Sequence, residues 1–336
     1  MHMSDALVAP TVAATMYACS AAAAGFSARK VRLHEDSKKI PLMGIMGAFV
    51  FAAQMINFTI PGTGSSGHIA GGMLISAILG PFAGFITMIA VLAIQCLLFA
   101  DGGLLALGCN VWNIAFYGCF LGTALLWKPF MKKGIRRSKI LISSVLGCVI
   151  TLQLGAFSVV LETYFSGITE LPFSVFVATM QPIHLAIGLV EGLITAAVLI
   201  FIHEARPELL QRGEREGHKD GKLGRLSYKT TLLVLAITFV VIGGVISLFA
   251  SSHPDGLEWS IEKIVGSTEL ASSGEIYTVS EQIQEKTAFL PDYSWKNSDS
   301  ASATSISGIL GGSLVIVVCI LTCRVLSLVR KRKYDE

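Results

Sequence analysis

The residues of this chain best placed to do chemistry are its first two. In Met1-His2-Met3-Ser4-Asp5, a free amine on Met1, the amide nitrogen of His2 and the His2 imidazole can close two fused chelate rings around one cation. That leaves one in-plane position for a nitrogen from elsewhere. The sequence offers it at His68, inside P-G-T-G-S-S-G-H-I-A-G-G, residues 61–72. Glycines there let main chain approach a ligand closely, and a neutral imidazole is a common metal ligand. Four nitrogens in a plane suit Ni(II) or Cu(II), with Co(II) a near relative; Mg(II) and Ca(II) take oxygen donors and Zn(II) prefers a tetrahedron. Gly62 and Gly67 imitate half of a phosphate loop, but His68 stands where that loop needs lysine. Taken alone, 61–72 reads equally as a glycine-rich turn with a satisfied histidine, and His2 equally as a chance residue. Only the pairing of the two stretches gives the metal reading content.

Five further residues are expected to support this site without serving as its ligands. Asp101-Gly102-Gly103 reads as a turn at the outer surface. Asn110 and Asn113, three apart, share one face of a helix entering the membrane, where amides usually hydrogen-bond within the bundle. In Q-P-I-H-L-A-I-G-L-V-E-G, residues 181–192, His184 and Glu191 project from one helix face about two turns apart. Ionisable groups inside spans mark functional sites by default, with a buried structural pair as the plain alternative. No H-E-x-x-H, nucleophile constellation or Walker A lysine occurs, so no catalytic residue is assigned and the chain is expected not to be an enzyme. A membrane metalloenzyme built on His184 and Glu191 is the rival reading. A self-sufficient secondary transporter is the other, and the inverted repeats it should show are not evident.

The elements that must position these residues are membrane helices. The 336 residues are 53% apolar and 15% charged, with mean hydropathy +0.66, which excludes an ordinary soluble domain. Nine apolar segments are predicted to span, at 7–28, 41–60, 68–79 (short), 81–99, 104–127, 140–161, 173–202, 230–250 and 306–329. Of the 26 lysines and arginines, 23 fall in four clusters at 29–39, 128–139, 206–229 and 324–333. Threading nine spans through these clusters puts all four on one face, the cytoplasmic one. The amino terminus, the 62–67 loop, Asp101 and residues 251–304 then face outward, and the carboxyl terminus inward. A formal charge of +3 distributed this way reports topology and implies no nucleic acid. No lysine or arginine precedes Arg29, so the first segment lacks the basic start of a cleaved signal and reads as a true span. The alanines around Ala14, Ala18 and Ala21–Gly25 permit close helix approach, within the bundle or to a partner. The seven cysteines show no metal spacing and no exterior disulfide framework. Residues 204–229 read as a cytoplasmic linker between a seven-helix core, 1–203, and a two-helix hairpin, 230–336. Its outer segment, 251–304, is polar and serine-rich, with a turn at Pro254-Asp255-Gly256 and a composition compatible with partial disorder.

M-H at the start, G-T-G-S-S-G-H-I-A-G-G at 62–72, L-L-F-A-D-G-G-L-L-A-L-G-C-N-V-W-N at 97–113 and H-L-A-I-G-L-V-E-G at 184–192 together resemble the CbiM/NikM family. These are the substrate-binding membrane components of energy-coupling factor (ECF) transporters for cobalt and nickel. Ala6 stands where that family's opening usually has glycine. The hairpin, with Pro254-Asp255-Gly256-Leu257-Glu258, resembles the family's two-span accessory component in its PDGLE form. The resemblance implies an all-α polytopic protein of the inner cell membrane that takes Ni2+ or Co2+ from outside as cargo. It implies ligands at Met1, His2 and His68 and none from the hairpin. It also implies two partners, a transmembrane coupling component (T or Q) and a pair of cytoplasmic ATPases.

Overall fold

The computed structural model describes residues 1–31, 38–211, 226–268, 270–296 and 301–335. Most of the linker expected at 204–229 lies outside them. Seven helices form the core: α1 Pro10–Lys30, α2 Lys39–Gln54, α3 Gly72–Leu79, α4 Pro81–Phe99, α5 Leu107–Met131, α6 Arg137–Ser166 and α7 Phe173–Ala205. The hairpin adds α8 Tyr228–Gly244 and α11 Ala301–Asp335, with α9 Gly256–Val265 and α10 Glu275–Thr287 between them. Helices thus occupy all nine predicted segments. Only six described helices are long and apolar enough to cross a bilayer, namely α4 to α7, Tyr228–Phe249 and Ser302–Leu328. The span expected at 68–79 is corrected. It is the eight-residue α3, bounded by left-handed Gly71 and by Gly80-Pro81, which stops one helix and starts the next. At 1.5 Å per residue it covers roughly 12 Å of a core about 30 Å thick.

Close helix seams are built from glycine. A Cβ on Gly192 of α7 would stand 2.5 Å from the Val145 Cα of α6, and one on Gly188 3.0 Å from that of Val149. Beside this seam Gln153 donates to the Gln181 carbonyl at 2.8 Å, and Gln181 returns a 3.3 Å bond to that of Gln153. The hairpin joins the core by the same device. Gly243 and Gly308 bring α8 and α11 into backbone contact, Gly311 lies on Phe51, and Gly44 and Gly47 of α2 admit Ile316 and Val315. Helix α5 carries a π-type winding over Val111–Trp127, which no apolar periodicity foretold.

The described residues of 251–304 hold more helix than the composition suggested. Helix α9 begins with a capping box, in which Asp255 accepts from the amides of Leu257 and Glu258 while Glu258 accepts from that of Asp255. It buries Leu257 and Ile261, and α10 buries Tyr277. The stretch before His68 is a hairpin, β1 Phe58–Ile60 antiparallel to β2 Ser65–Gly67 with Thr59 opposite Ser66, and it is the one sheet among the described residues. Three residues per strand are too few to read as alternation in a sequence.

Candidate metal centre

The amino terminus is threaded into the core and held there by main-chain bonds. Asn110 clamps Met3 from both sides, its carbonyl accepting from the Met3 amide at 2.7 Å and its amide donating to the Met3 carbonyl at 3.1 Å. The Gly103 amide donates to the same carbonyl at 2.9 Å. Asp5 accepts from the Ala106 amide at 3.0 Å. Asp101-Gly102-Gly103 is thus the floor under residues 2–5. A Cβ on Gly102, at φ +86°, would meet Asn110 at 2.7 Å and His2 at 3.2 Å, and one on Gly103 would overlap Asp5.

His68 approaches from the opposite side. Gly67 gives it passage, since a Cβ there would fall 2.5 Å from Ile187. Gly71 turns the chain away at φ +80°, its amide held at 2.9 Å by Glu191 of α7. The Met1 amine lies 3.1 Å from His68 Nε2, and the His2 and His68 rings stack with centroids 5.2 Å apart, 20° from parallel. His68 Nδ1 is 3.0 Å from the Ile69 carbonyl, which fixes that nitrogen as the protonated one and leaves Nε2 with its lone pair toward Met1. His2 Nδ1 is 3.1 Å from Asp101, while its Nε2 is buried without a protein partner. Met1, His2 and His68 therefore meet, with Asp101 behind His2. Among the described residues no three imidazole, thiol or carboxyl side chains form a ligand cluster. The groups that converge here include one main-chain nitrogen, the Met1 amine.

Asn113 does not reach this centre. It donates to Glu162 at 2.7 Å and lies 3.5 Å from the Met3 sulfur, so it steadies the bundle beneath the clamp. His184 is one layer further in. Its Nδ1 pairs with the Met180 carbonyl at 2.8 Å, and its buried Nε2 has no protein partner and faces Gly256. Glu191 acts on the loop that carries His68.

Sequence reasoning missed Asp255. Its carboxylate forms a short ion pair with the Met1 amine and stands 3.9 Å from His68 Nε2. The only signal for it was the D-x-x-E start of α9, which reports a helix cap and nothing about a residue 254 positions away. The appended segment grips the site at several further points. The Ser66 amide donates to the Pro254 carbonyl at 2.8 Å and the Trp259 indole to that of Thr63 at 3.0 Å. Tyr277 donates to the Val8 carbonyl at 3.1 Å, Gln284 to that of Gly102 at 2.9 Å, and Tyr293 to Asp101. Between segment and core lies a cleft of about 1170 Å³ lined by His2, Asp5, Asp101, Asp255, Glu258, Glu281 and Glu285, with Lys286 and Lys296 as its basic groups. Carboxylates in that excess concentrate cations at the mouth of the site.

Burial sets the electrostatics. It brings the His68 imidazole down to about 3, helped by the Met1 ammonium and His2, and it lowers His2 against the pull of Asp101. Burial opposes charge on Asp255 as well, but the Met1 ammonium and His68 hold its carboxyl well below the ordinary range. Both imidazoles are therefore neutral at physiological pH, the form that binds metal.

Six helices long and apolar enough to cross a bilayer, with two imidazoles and a chain-end amine converging under an acidic cleft, define a multi-pass membrane protein. Residues 2–209 match the CbiM family, described as the cobalt uptake substrate-specific transmembrane region, and residues 229–328 match the PDGLE domain. The chain belongs to the CbiM family, with a PDGLE domain appended. It is 33% identical over 318 residues to the "Putative fused nickel transport protein NikMN" of Archaeoglobus fulgidus, covering 95% of this chain and 96% of that one. It is 31% identical to the fused nickel transport protein NikMN of Rhodobacter capsulatus over 62% of this chain and 64% of that one. A crystal structure of a transition metal transporter superposes with TM-score 0.54 at 30% identity, over 65% of this chain and all of that one.

Proposed function

We propose that this protein captures Ni2+ or Co2+ at its external face as the substrate-binding subunit of an ECF-type importer. The ligands are the Met1 amine, the His2 amide and imidazole, and His68 Nε2. The observation that carries this reading is the 3.1 Å approach of the Met1 amine to His68 Nε2, with the His2 ring stacked alongside. Loading exchanges carboxylate contacts for metal. The amine leaves its ion pair with Asp255, and His2 Nδ1, the nitrogen that closes the six-membered chelate ring, leaves Asp101. Family membership supports cobalt or nickel as cargo, and nitrogen donors in a plane suit both.

Uptake on this reading is driven by a coupling component and cytoplasmic ATPases. What supports a membrane partner is the face of α1 that the bundle leaves open. Ala14, Ala18, Ala21, Ala22 and Gly25 are exposed, whereas Ala13, Ser20 and Ser27 are buried. Small residues on an outward face permit close approach by another helix.

The test is titration of nickel and cobalt into detergent-solubilised protein with the native terminus and with one residue added before Met1. Extension turns the amine into an amide, so tight binding is expected only for the native form. Equal affinity for both forms would refute the chelate.

A further inference from the structure

We propose that Asp255 of the appended domain is itself a ligand, giving the captured cation an oxygen from outside the plane of nitrogens. This rests on the capture reading above. The two oxygens of Asp255 have separate tasks. Oδ1 accepts from the Leu257 and Glu258 amides at 2.8 and 2.9 Å and so accounts fully for the helix cap. Oδ2 takes no part in the cap and points at the two donors, forming the ion pair with the Met1 amine and lying 3.9 Å from His68 Nε2.

Two of these atoms stand as neighbours around one ion do, and the carboxylate oxygen lies beside them. For metal–ligand bonds of about 2.0–2.1 Å, adjacent ligands stand roughly 2.9 Å apart and opposite ones roughly 4.1 Å. Met1 N and His68 Nε2, 3.1 Å apart, match adjacent ligands, whereas Asp255 Oδ2, 3.9 Å from His68 Nε2, must close in by about 1 Å once the amine leaves its ion pair. Tetragonal sites with mixed nitrogen and oxygen donors are a recognised setting for Ni(II). An oxygen on the outer side also closes the cation off from the acidic cleft. The accessory domain then completes the site in addition to covering it.

Asp255→Asn separates the two tasks, because asparagine caps a helix as well as aspartate while its amide nitrogen offers no lone pair to a metal. The experiment uses the full chain with its native terminus, loaded with nickel, and reads affinity by titration and coordination number by X-ray absorption at the nickel edge. Expected are a nickel with more than four neighbours in the native protein, a four-coordinate planar nickel in Asp255→Asn, and affinity lower by about tenfold or more in the variant. A planar nickel in both proteins overturns the proposal even if affinity falls, since Asp255 is then a counterion only. More than four neighbours in both overturns it too, by showing another ligand. If the native chain binds no nickel, the capture reading fails and this proposal falls with it, an outcome distinct from the other two.

Discussion

At the scale of single residues the proposed centre would depend on nitrogens that are few and not interchangeable. His2→Ala and His68→Ala each remove one donor. Loss of a residue that merely orients a ligand typically lowers metal affinity ten- to a hundredfold, so each of these is expected to lower it by about a hundredfold or more. Titration of the purified variants checks this. The pH dependence follows from burial. Folded His68 stays neutral down to about 3, while the unfolded chain takes a proton near the ordinary value of about 6.5. The unfolded state thus binds more protons between these values, and stability falls as pH falls through that window, by up to about 1.4 kcal/mol per pH unit. Asp255, held below its ordinary range, contributes stability above that range and loses it as pH drops further, so the two groups act in the same direction. Melting of the metal-free protein between pH 7.5 and 5 is expected to shift downward, and less steeply in His68→Gln. The meeting of Met1, His2 and His68 could be expected from the sequence because chelation depends on residue type and position at a chain end. Asp255 was not, because a carboxylate in a turn has too many ordinary uses.

At the scale of elements the sequence announced helices far better than it announced contacts. Apolar runs located nine helical segments, yet hydropathy alone does not separate a spanning helix from α3, which is buried throughout and only eight residues long. The Gly188–Gly192 spacing was visible as a motif, but its packing against Val149 and Val145 is a property of α6. Gly192→Val is expected to force the α6–α7 seam apart and destabilise the bundle by about 1–3 kcal/mol or more, read as a lower melting temperature in detergent. Outward-facing Ala18 provides the contrasting case. Ala18→Leu touches nothing inside the bundle, so metal binding should persist, while uptake in cells falls if this face meets the coupling component. Unchanged uptake would remove α1 from that interface.

At the scale of the whole molecule the appended domain is the least legible part. Its outer segment reads as polar and weakly structured, because α9 and α10 have apolar faces only a few residues wide and their partners lie in loops far away in the chain. Hydrogen bonds to Thr63, Ser66, Val8 and Gly102 supply what local pattern does not. On the threading expected from the basic clusters, this segment lies outside the cell. A single cysteine at the exposed Ser272 should react with a membrane-impermeant maleimide in intact cells. Protection until permeabilisation would invert the topology.

The ion pair between Met1 and Asp255 joins positions 254 residues apart, and this separation has a consequence in time. A ribosome adding about 5–20 residues per second completes Asp255 roughly 13–50 s after Met1. Through that interval the amine has no Asp255 to meet, while the Asn110 and Gly103 clamps on Met3 are synthesised before its midpoint. The chain therefore assembles this centre from its floor upward and shuts it last. Whatever must act on the terminal amine before metal arrives has its opportunity while the second domain is still being made.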